Sequence, residues 1–470
     1  MGSRDDRFRP NVTESANFQA IPGWVRRIAH QLTDAGFQAF LVGGAVRDLL
    51  WGEMPHDWDL ATDALPDRIE ALFSHTVPTG KRFGTITVLD GGNSLEVTTF
   101  REDLGYSDGR RPDAIRFGSD IRTDLGRRDF TVNALAYDFG TGELVDPYQG
   151  YRDLKKRLLR AVGEPRVRFA EDGLRMFRFY RFLATCDLRP DPATGRAVDP
   201  EFGRMVSMER IRDEFSKLLL GRKLRVGLNG LRDSGLLGLF LPELANVQLP
   251  PGGFHRYPLW EHLMVTAEAI RPELHLRLAA LLHDIAKPLT RIETETGVHY
   301  YGHDQRGAEL AQTALGRLRY PGKLLETVAK LVRWHMFLVE PHTGDAAIRR
   351  LIAKVGPELI PDLLELRRAD LIAVGRVSHG LLIAWEESRD RILSLLRDDS
   401  PLRRSELAIG GRDLIEAFHL APGPAIGRIL DELWSIVLDE PGRNDRQTLL
   451  RLAETLIDPA DRREPDRPPG

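Results

Sequence analysis

The chain has 470 residues, a formal net charge of −3, 42% hydrophobic and 29% charged residues. That balance fits several folded domains, at about 100–200 residues each, and excludes a mostly disordered polymer. No run of ~18 apolar residues occurs, the first ten residues are polar, and the single cysteine, Cys186, excludes a disulfide framework. The expectation is a cytoplasmic protein without a membrane partner.

The elements are predicted in chain order. Residues 1–20 read as a flexible tail. Ile21, Trp24, Val25, Ile28 and Leu32 trace one helix face that stops at Gly36. Phe37–Val42 is a short apolar strand running into Gly43-Gly44, and 45–51 is a helix. Thr85–Leu89 and Leu95–Phe100 alternate with period two around Asp90-Gly91-Gly92-Asn93, which predicts a hairpin. Ile115–Phe117 reads as a strand, Phe130–Ala136 as helical and Leu144-Val145 as a strand. Beyond Asp153 helical periodicity dominates: helices over 165–240 with a loop at Pro190–Pro200, a boundary at Pro250–Gly253, helices over 255–395 and again over 405–458, then a charged tail. The fold class expected is α+β: a small mixed α/β head, 21–153, followed by an extended all-helical part. The latter divides into 154–250, 251–400 and 401–458, with 459–470 disordered.

Charge is unevenly placed. Only 9 of the 66 basic residues are lysine, and residues 151–182 carry ten basic against four acidic side chains. Arginine forks suit phosphates and base edges, so a phosphate-rich partner is expected near this segment.

Three sequence elements converge on nucleotide chemistry. Gly43-Gly44-Ala-Val-Arg47-Asp48 sits where a strand enters a helix, so backbone N–H groups and the helix dipole can meet a phosphate. Asp57-Trp58-Asp59 places two carboxylates on one face if extended, and such a pair suits Mg²⁺ together with substrate phosphates. Glu96, on the hairpin, is a candidate third carboxylate. Arg127-Arg128-Asp129-Phe130 offers guanidiniums to a triphosphate or sugar. In Glu171-Asp172-Gly-Leu-Arg175-Met-Phe-Arg178-Phe-Tyr-Arg181, polar residues recur every three positions. A carboxylate beside a guanidinium presents an acceptor next to donors. It matches cytosine and adenine, which pair an amino donor with a ring acceptor, and repels the carbonyls of uracil and guanine. Asp172 and Arg175 are thus expected to select C and A.

A second constellation lies in the helical part. His262, His283-Asp284, His303 and Asp370 offer imidazole and carboxylate ligands for a divalent transition metal, with His335 as an extra candidate.

With Asp146–Leu154 and Glu209–Glu214, these motifs resemble the class II tRNA nucleotidyltransferases, the CCA-adding enzymes and bacterial poly(A) polymerases. The likeness is dense over residues 37–245. It implies a polymerase-β-like head followed by helical neck, body and tail, with tRNA, ATP and CTP as partners. By the resemblance Asp57 and Asp59 hold Mg²⁺; Glu96 stays the candidate third catalytic carboxylate that its place on the hairpin suggests. Gly43, Gly44, Arg47 and Arg128 contact the nucleotide, Asp172 and Arg175 read the base, and Arg178 and Arg181 support them. Glu209 and Arg210 are expected only to steady the neck helix. The loop Asp103–Ala114 matches a segment associated with adding A. The second constellation resembles HD-domain phosphohydrolases, with His262, His283, Asp284 and Asp370 in the ligand positions. CCA addition is the expected function. The alternatives are addition of A alone or CC alone, poly(A) polymerase, an HD phosphohydrolase with an idle head, and a non-catalytic RNA binder. The oligomeric state is not specified by the sequence.

Overall fold

The structure is a computed structural model and describes residues 18–105, 114–250, 256–295, 297–337, 339–340, 342–375, 379–398 and 402–458. The chain divides into two compact units, Met1–Ala245 and Asn246–Gly470.

The first unit begins with α1 (Gly23–Asp34), which buries Val25, Ile28, Ala29 and Leu32, the stripe expected of an amphipathic helix. It packs beside a seven-stranded sheet. The strands concerned are β1 (Ala39–Val42), β2 (Asp59–Thr62), β3 (Thr76–Gly80), β4 (Thr85–Asp90), β5 (Asn93–Thr99), β8 (Ala136–Asp138) and β9 (Leu144–Val145). Their spatial order is β3-β4-β5-β2-β1-β8-β9. A separate ribbon pairs β6 (Arg101–Leu104) with β7 (Ala114–Phe117). Residues 106–113 of the loop discussed above lie outside the described residues.

Successive side chains of β1 go to opposite faces of the sheet. Ala39 and Leu41 join the core under α1, while Phe40 and Val42 join a second core with Phe100, Ile121 and Leu125. With both faces covered, β1 is wholly buried, which is why it reads as an unbroken apolar run. Gly91 and Gly92 both have positive φ, at 57° and 85°, and close the β4–β5 hairpin tightly. β2 pairs in parallel with β5, with Asp59 opposite Glu96.

The stretch Phe130–Ala136 departs from expectation. A 3₁₀ turn at Thr131–Asn133 leads straight into β8. Phe130, Val132, Ala134 and Leu135 are all fully buried, so no polar face exists for a helix to present. The backbone bonds instead to distant partners: Thr131 N donates to Arg160 O, and Leu135 O accepts from Gly43 N.

Helix α2 (Gly44–Trp51) lies between β1 and β2 and α3 (Ile121–Gly126) between β7 and β8; after the sheet come α4 (Leu174–Thr185), α5 (Met208–Leu219) and α6 (Leu224–Asp233). The expected loop at Pro190–Pro200 contains a helical turn, Pro192–Arg196, whose first N–H groups are capped by Asp191.

The second unit is built on α7 (Leu259–Ala269), α8 (Leu274–Leu282), α9 (His303–Arg317), α10 (Gly322–Trp334) and α11 (Ile360–Val374). α8 is buried from Leu276 to Leu282, as a helix surrounded by others must be. The part is not wholly helical: Arg291–Thr294 and Gly297–Tyr300 form an exposed hairpin. A further core gathers Leu414, Ile429, Leu433, Val437 and Leu449. Among the described residues no helix is long and apolar enough to cross a membrane.

Candidate active site and metal centre

A cavity of about 690 Å³ opens in the first unit between the end of the sheet and the helices after it. Gly43, Gly44, Arg47, Asp57, Asp59 and Arg128 line one side, and Asp172, Arg175, Arg178, Arg181 and Arg210 line the other. Gly43 has φ 74°, and a Cβ there would lie 2.7 Å from Arg128 Nη1, so only glycine fits beside that guanidinium.

The carboxylates gather as expected. Asp59 opens β2, Asp57 lies in the bend just before it, and Glu96 faces Asp59 across the strand pair. Asp57, Asp59 and Glu96 also line a second cavity of about 810 Å³ with Trp24, His56 and Trp58. Asp57 and Asp59 therefore border both cavities. Burial pushes Asp59 up to about 6, with Glu96 and Asp57 adding to the rise and Arg128 opposing it.

The arginines are held by a buried frame. Arg47 donates from Nη1 to Asn133 Oδ1 at 2.7 Å and from Nε to Asp48 at 2.8 Å. Asp124, within α3, accepts from both Arg127 and Arg128. Asp129 accepts from Asn133 Nδ2 at 3.0 Å and from Arg178 Nε at 2.7 Å. Although burial raises it, Arg178 and Asn133 hold Asp129 down at about 2. Glu214 of α5 faces both Arg178 and Arg181, and Arg181 lies 3.6 Å over the Phe182 ring.

The base-reading pair differs from expectation. Asp172 and Arg175 share the cavity but are not each other's partner. Arg210 grips Asp172 in a fork at 3.1 and 2.7 Å. Arg175 donates to Glu171 at 2.5 Å and to the carbonyls of Arg168 and Arg127, each at 2.8 Å. Arg210 therefore lines the cavity and fixes Asp172 as well as sitting on its helix. The sequence offered a weak sign of this, an arginine beside an acid near the start of a helix. The pairing spans 38 residues and no local pattern reports it.

In the second unit, His262 on α7, His283-Asp284 just after α8 and Asp370 on α11 meet in a buried cluster. His262 Nε2 lies 3.1 Å from His283 Nε2, 3.4 Å from Asp284 Oδ2 and 3.2 Å from Asp370 Oδ1. Against burial, the carboxylates of Asp284 and Asp370 hold His283 up at about 10. Both carboxyls lie well below the usual range despite burial. Lys287 and His283 lower Asp284, and His262 and His283 lower Asp370. His303 and His335 stand on the other side of Asp284.

Two aspartates on an arginine-walled cavity, with Glu96 paired across the strands from Asp59, on a sheet of this order, mark the class of nucleotidyltransferases. Residues 39–160 match the family model described as Poly A polymerase head domain. Residues 260–374 match the HD domain, and 377–453 match a tRNA nucleotidyltransferase domain 2 model. The CCA-adding enzymes of Limosilactobacillus reuteri and Limosilactobacillus fermentum are 32% and 34% identical to the chain, each alignment covering 92% of this chain and 96% of the relative. The chain belongs to the CCA-adding enzyme family of tRNA nucleotidyltransferases. A crystal structure of the Bacillus stearothermophilus CCA-adding enzyme in complex with CTP superposes with TM-score 0.68 at 28% identity, covering 92% of this chain and 96% of that one.

Proposed function

We propose that this enzyme adds C, C and A to the 3′ end of tRNA from CTP and ATP, without a nucleic-acid template and with pyrophosphate released. The observation that carries the mechanism is the position of Asp57 and Asp59 on the border of two cavities. One cavity is walled by arginines and fits a nucleoside triphosphate. The other holds Trp24 and Trp58 and fits an RNA terminus, since aromatic rings stack on unpaired bases.

The donor set fits Mg²⁺. Three carboxylates crowd together, and Asp59 is pushed up to about 6 partly by Glu96 and Asp57, a repulsion that a divalent cation removes. Asp57 and Asp59 would hold the ion, with Glu96 beside them. When bound, it lowers the charge on the phosphates and favours ionisation of a hydroxyl.

The chain's own residues supply the positioning. Gly43 and Gly44 let the backbone approach the triphosphate at the start of α2. Arg47 and Arg128 balance its charge from a frame that Asn133 and Asp124 have already fixed. The tRNA 3′-hydroxyl, in the second cavity, then attacks the α-phosphorus. The new P–O bond forms as the bond to pyrophosphate breaks, with no covalent enzyme intermediate. Base choice rests on Asp172 as acceptor and Arg175 as donor. Both are clamped by other groups, so neither can turn to suit uracil or guanine.

The second unit fits a further metal at His262, His283, Asp284 and Asp370, donors suited to a borderline divalent ion.

The nucleotide mechanism is tested with Asp59→Ala. Incorporation should fall by at least about a hundredfold while tRNA affinity stays within about twofold. Retained incorporation would remove the metal role from Asp59.

A further inference from the structure

We propose that the exposed hairpin of the second unit is the contact through which two copies of this chain dimerise. Its strand Arg291–Thr294 pairs antiparallel with the same strand of the second copy, about a two-fold axis that passes by Ile292.

The hairpin is left uncovered by its own chain. Among the described residues Arg291–Thr294 pairs only with Gly297–Tyr300, as a sheet of two strands, so one edge of each strand carries no ladder. All four residues of Arg291–Thr294 are exposed. Two strands alone are marginal in water, and a further strand or a packed face is what stabilises them. Apolar side chains gather here too: Leu289, Ile292, Val298 and Tyr301 are 67%, 49%, 43% and 67% exposed. Tyr301 stacks on His299 at 5.2 Å, and His299 is the register partner of Ile292, so these three share one face. A free edge beside an apolar face is a template for another strand.

Charge says which strand. Arg291 and Glu293 stand two apart, on the opposite face from Ile292, and pair with each other. Residues opposite each other in a sheet share a face, so a two-fold axis between antiparallel copies must pass by a residue and not between two. Passing by Arg291 or Glu293, it sets that charge opposite itself. Passing by Thr294, it sets Glu293 opposite Glu295 of the second copy. Like charges placed so are destabilising. Passing by Ile292, it sets Arg291 opposite Glu293 twice and closes a ring of four alternating charges. The same register brings the two Ile292 side chains within about 5 Å on the face of His299 and Tyr301. The charges that turn away an unrelated strand thus accept the strand's own copy.

The test is sedimentation velocity of the full chain over a dilution series, without tRNA. The parent should pass from monomer to dimer as concentration rises. Arg291→Glu and Glu293→Arg should each weaken dimerisation about tenfold or more, since each sets two like-charge pairs across the axis. An equimolar mixture of the two variants should dimerise as the parent does, because every pair across the axis is then of opposite sign, and so should the double variant. Both residues are exposed, so far-UV circular dichroism and nucleotide addition should not change. Should a variant lose its fold, hydrogen exchange of the parent decides: the amides of Arg291–Thr294 slow with rising concentration if the strand is the contact. A parent that is monomeric at every concentration overturns the dimer. A dimer that neither single substitution weakens, or a mixture that stays monomeric, overturns this pairing.

Discussion

Several side chains of the site are held by partners far away in sequence. Asp172 illustrates the consequence. Its fork with Arg210 fixes an acceptor in the cavity, so Arg210→Ala should loosen base choice although Arg210 is not itself the reader. Arg175→Ala should do so by removing the donor. Both variants are checked by misincorporation of UTP and GTP opposite unchanged CTP binding. We expect about tenfold or more relaxation for Arg175→Ala and a smaller change for Arg210→Ala, since a polar contact at a base edge is worth about 1–3 kcal/mol. Unchanged selectivity in Arg175→Ala would take that residue out of base recognition. Asp129 makes a different prediction. Its folded value, about 2, lies below the ordinary 3.8, so it favours the folded state above pH 4 and loses that contribution as pH falls toward 2. The shift corresponds to roughly 2 kcal/mol. Asp129→Asn should therefore lower the urea midpoint at pH 7 and weaken its decline between pH 4 and 2. Equal acid sensitivity in the variant and the parent would refute the role. Asp57, Asp59, Glu96 and Gly43 were legible in the sequence because their signals are local. The clamps by Asn133 on Arg47 and by Glu214 on Arg181 were not, because nothing in a short window reports a partner 33 to 86 residues away.

Secondary elements carry these side chains, and a few close approaches set where they stand. Gly173 lies between Asp172 and the start of α4, and a Cβ there would sit 2.0 Å from the Phe202 carbonyl oxygen. Gly173→Ala should push the chain away, cost about 1–3 kcal/mol of stability and raise the KM for CTP more than it lowers kcat. Thermal unfolding with steady-state kinetics checks both, and an unchanged midpoint would show that the backbone can yield there. The elements themselves were largely readable. The β1 strand, the Gly43 turn, α2 and the β4–β5 hairpin follow from apolar run, glycine pair and alternation. Phe130–Ala136 was misread because it is buried on all sides, Thr131 and Asn133 included, so no exposed face marks its conformation. Burial alone does not distinguish a helix from a turn leading into a strand. The hairpin Arg291–Tyr300 was missed for the opposite reason: it is mostly exposed, so its side chains follow no in-and-out pattern.

The molecule as a whole joins two chemistries in one chain. The first unit gathers carboxylates and arginines around a triphosphate-sized cavity, and the second buries four histidines and two aspartates. The basic stretch 151–182, with ten Lys/Arg, points in the sequence to a phosphate-rich partner near it. Six of these ten side chains are exposed, while Arg175 is buried and Arg178 and Arg181 are tied to Asp129 and Glu214. The decisive measurement is a nucleotide-addition assay on tRNAs lacking CCA, lacking CA and lacking only A, each offered CTP, ATP or both. CTP alone should add two residues to the first and one to the second. ATP alone should extend only the third, and both together should complete all three and stop. Repeated A addition, or no addition of C, would overturn it.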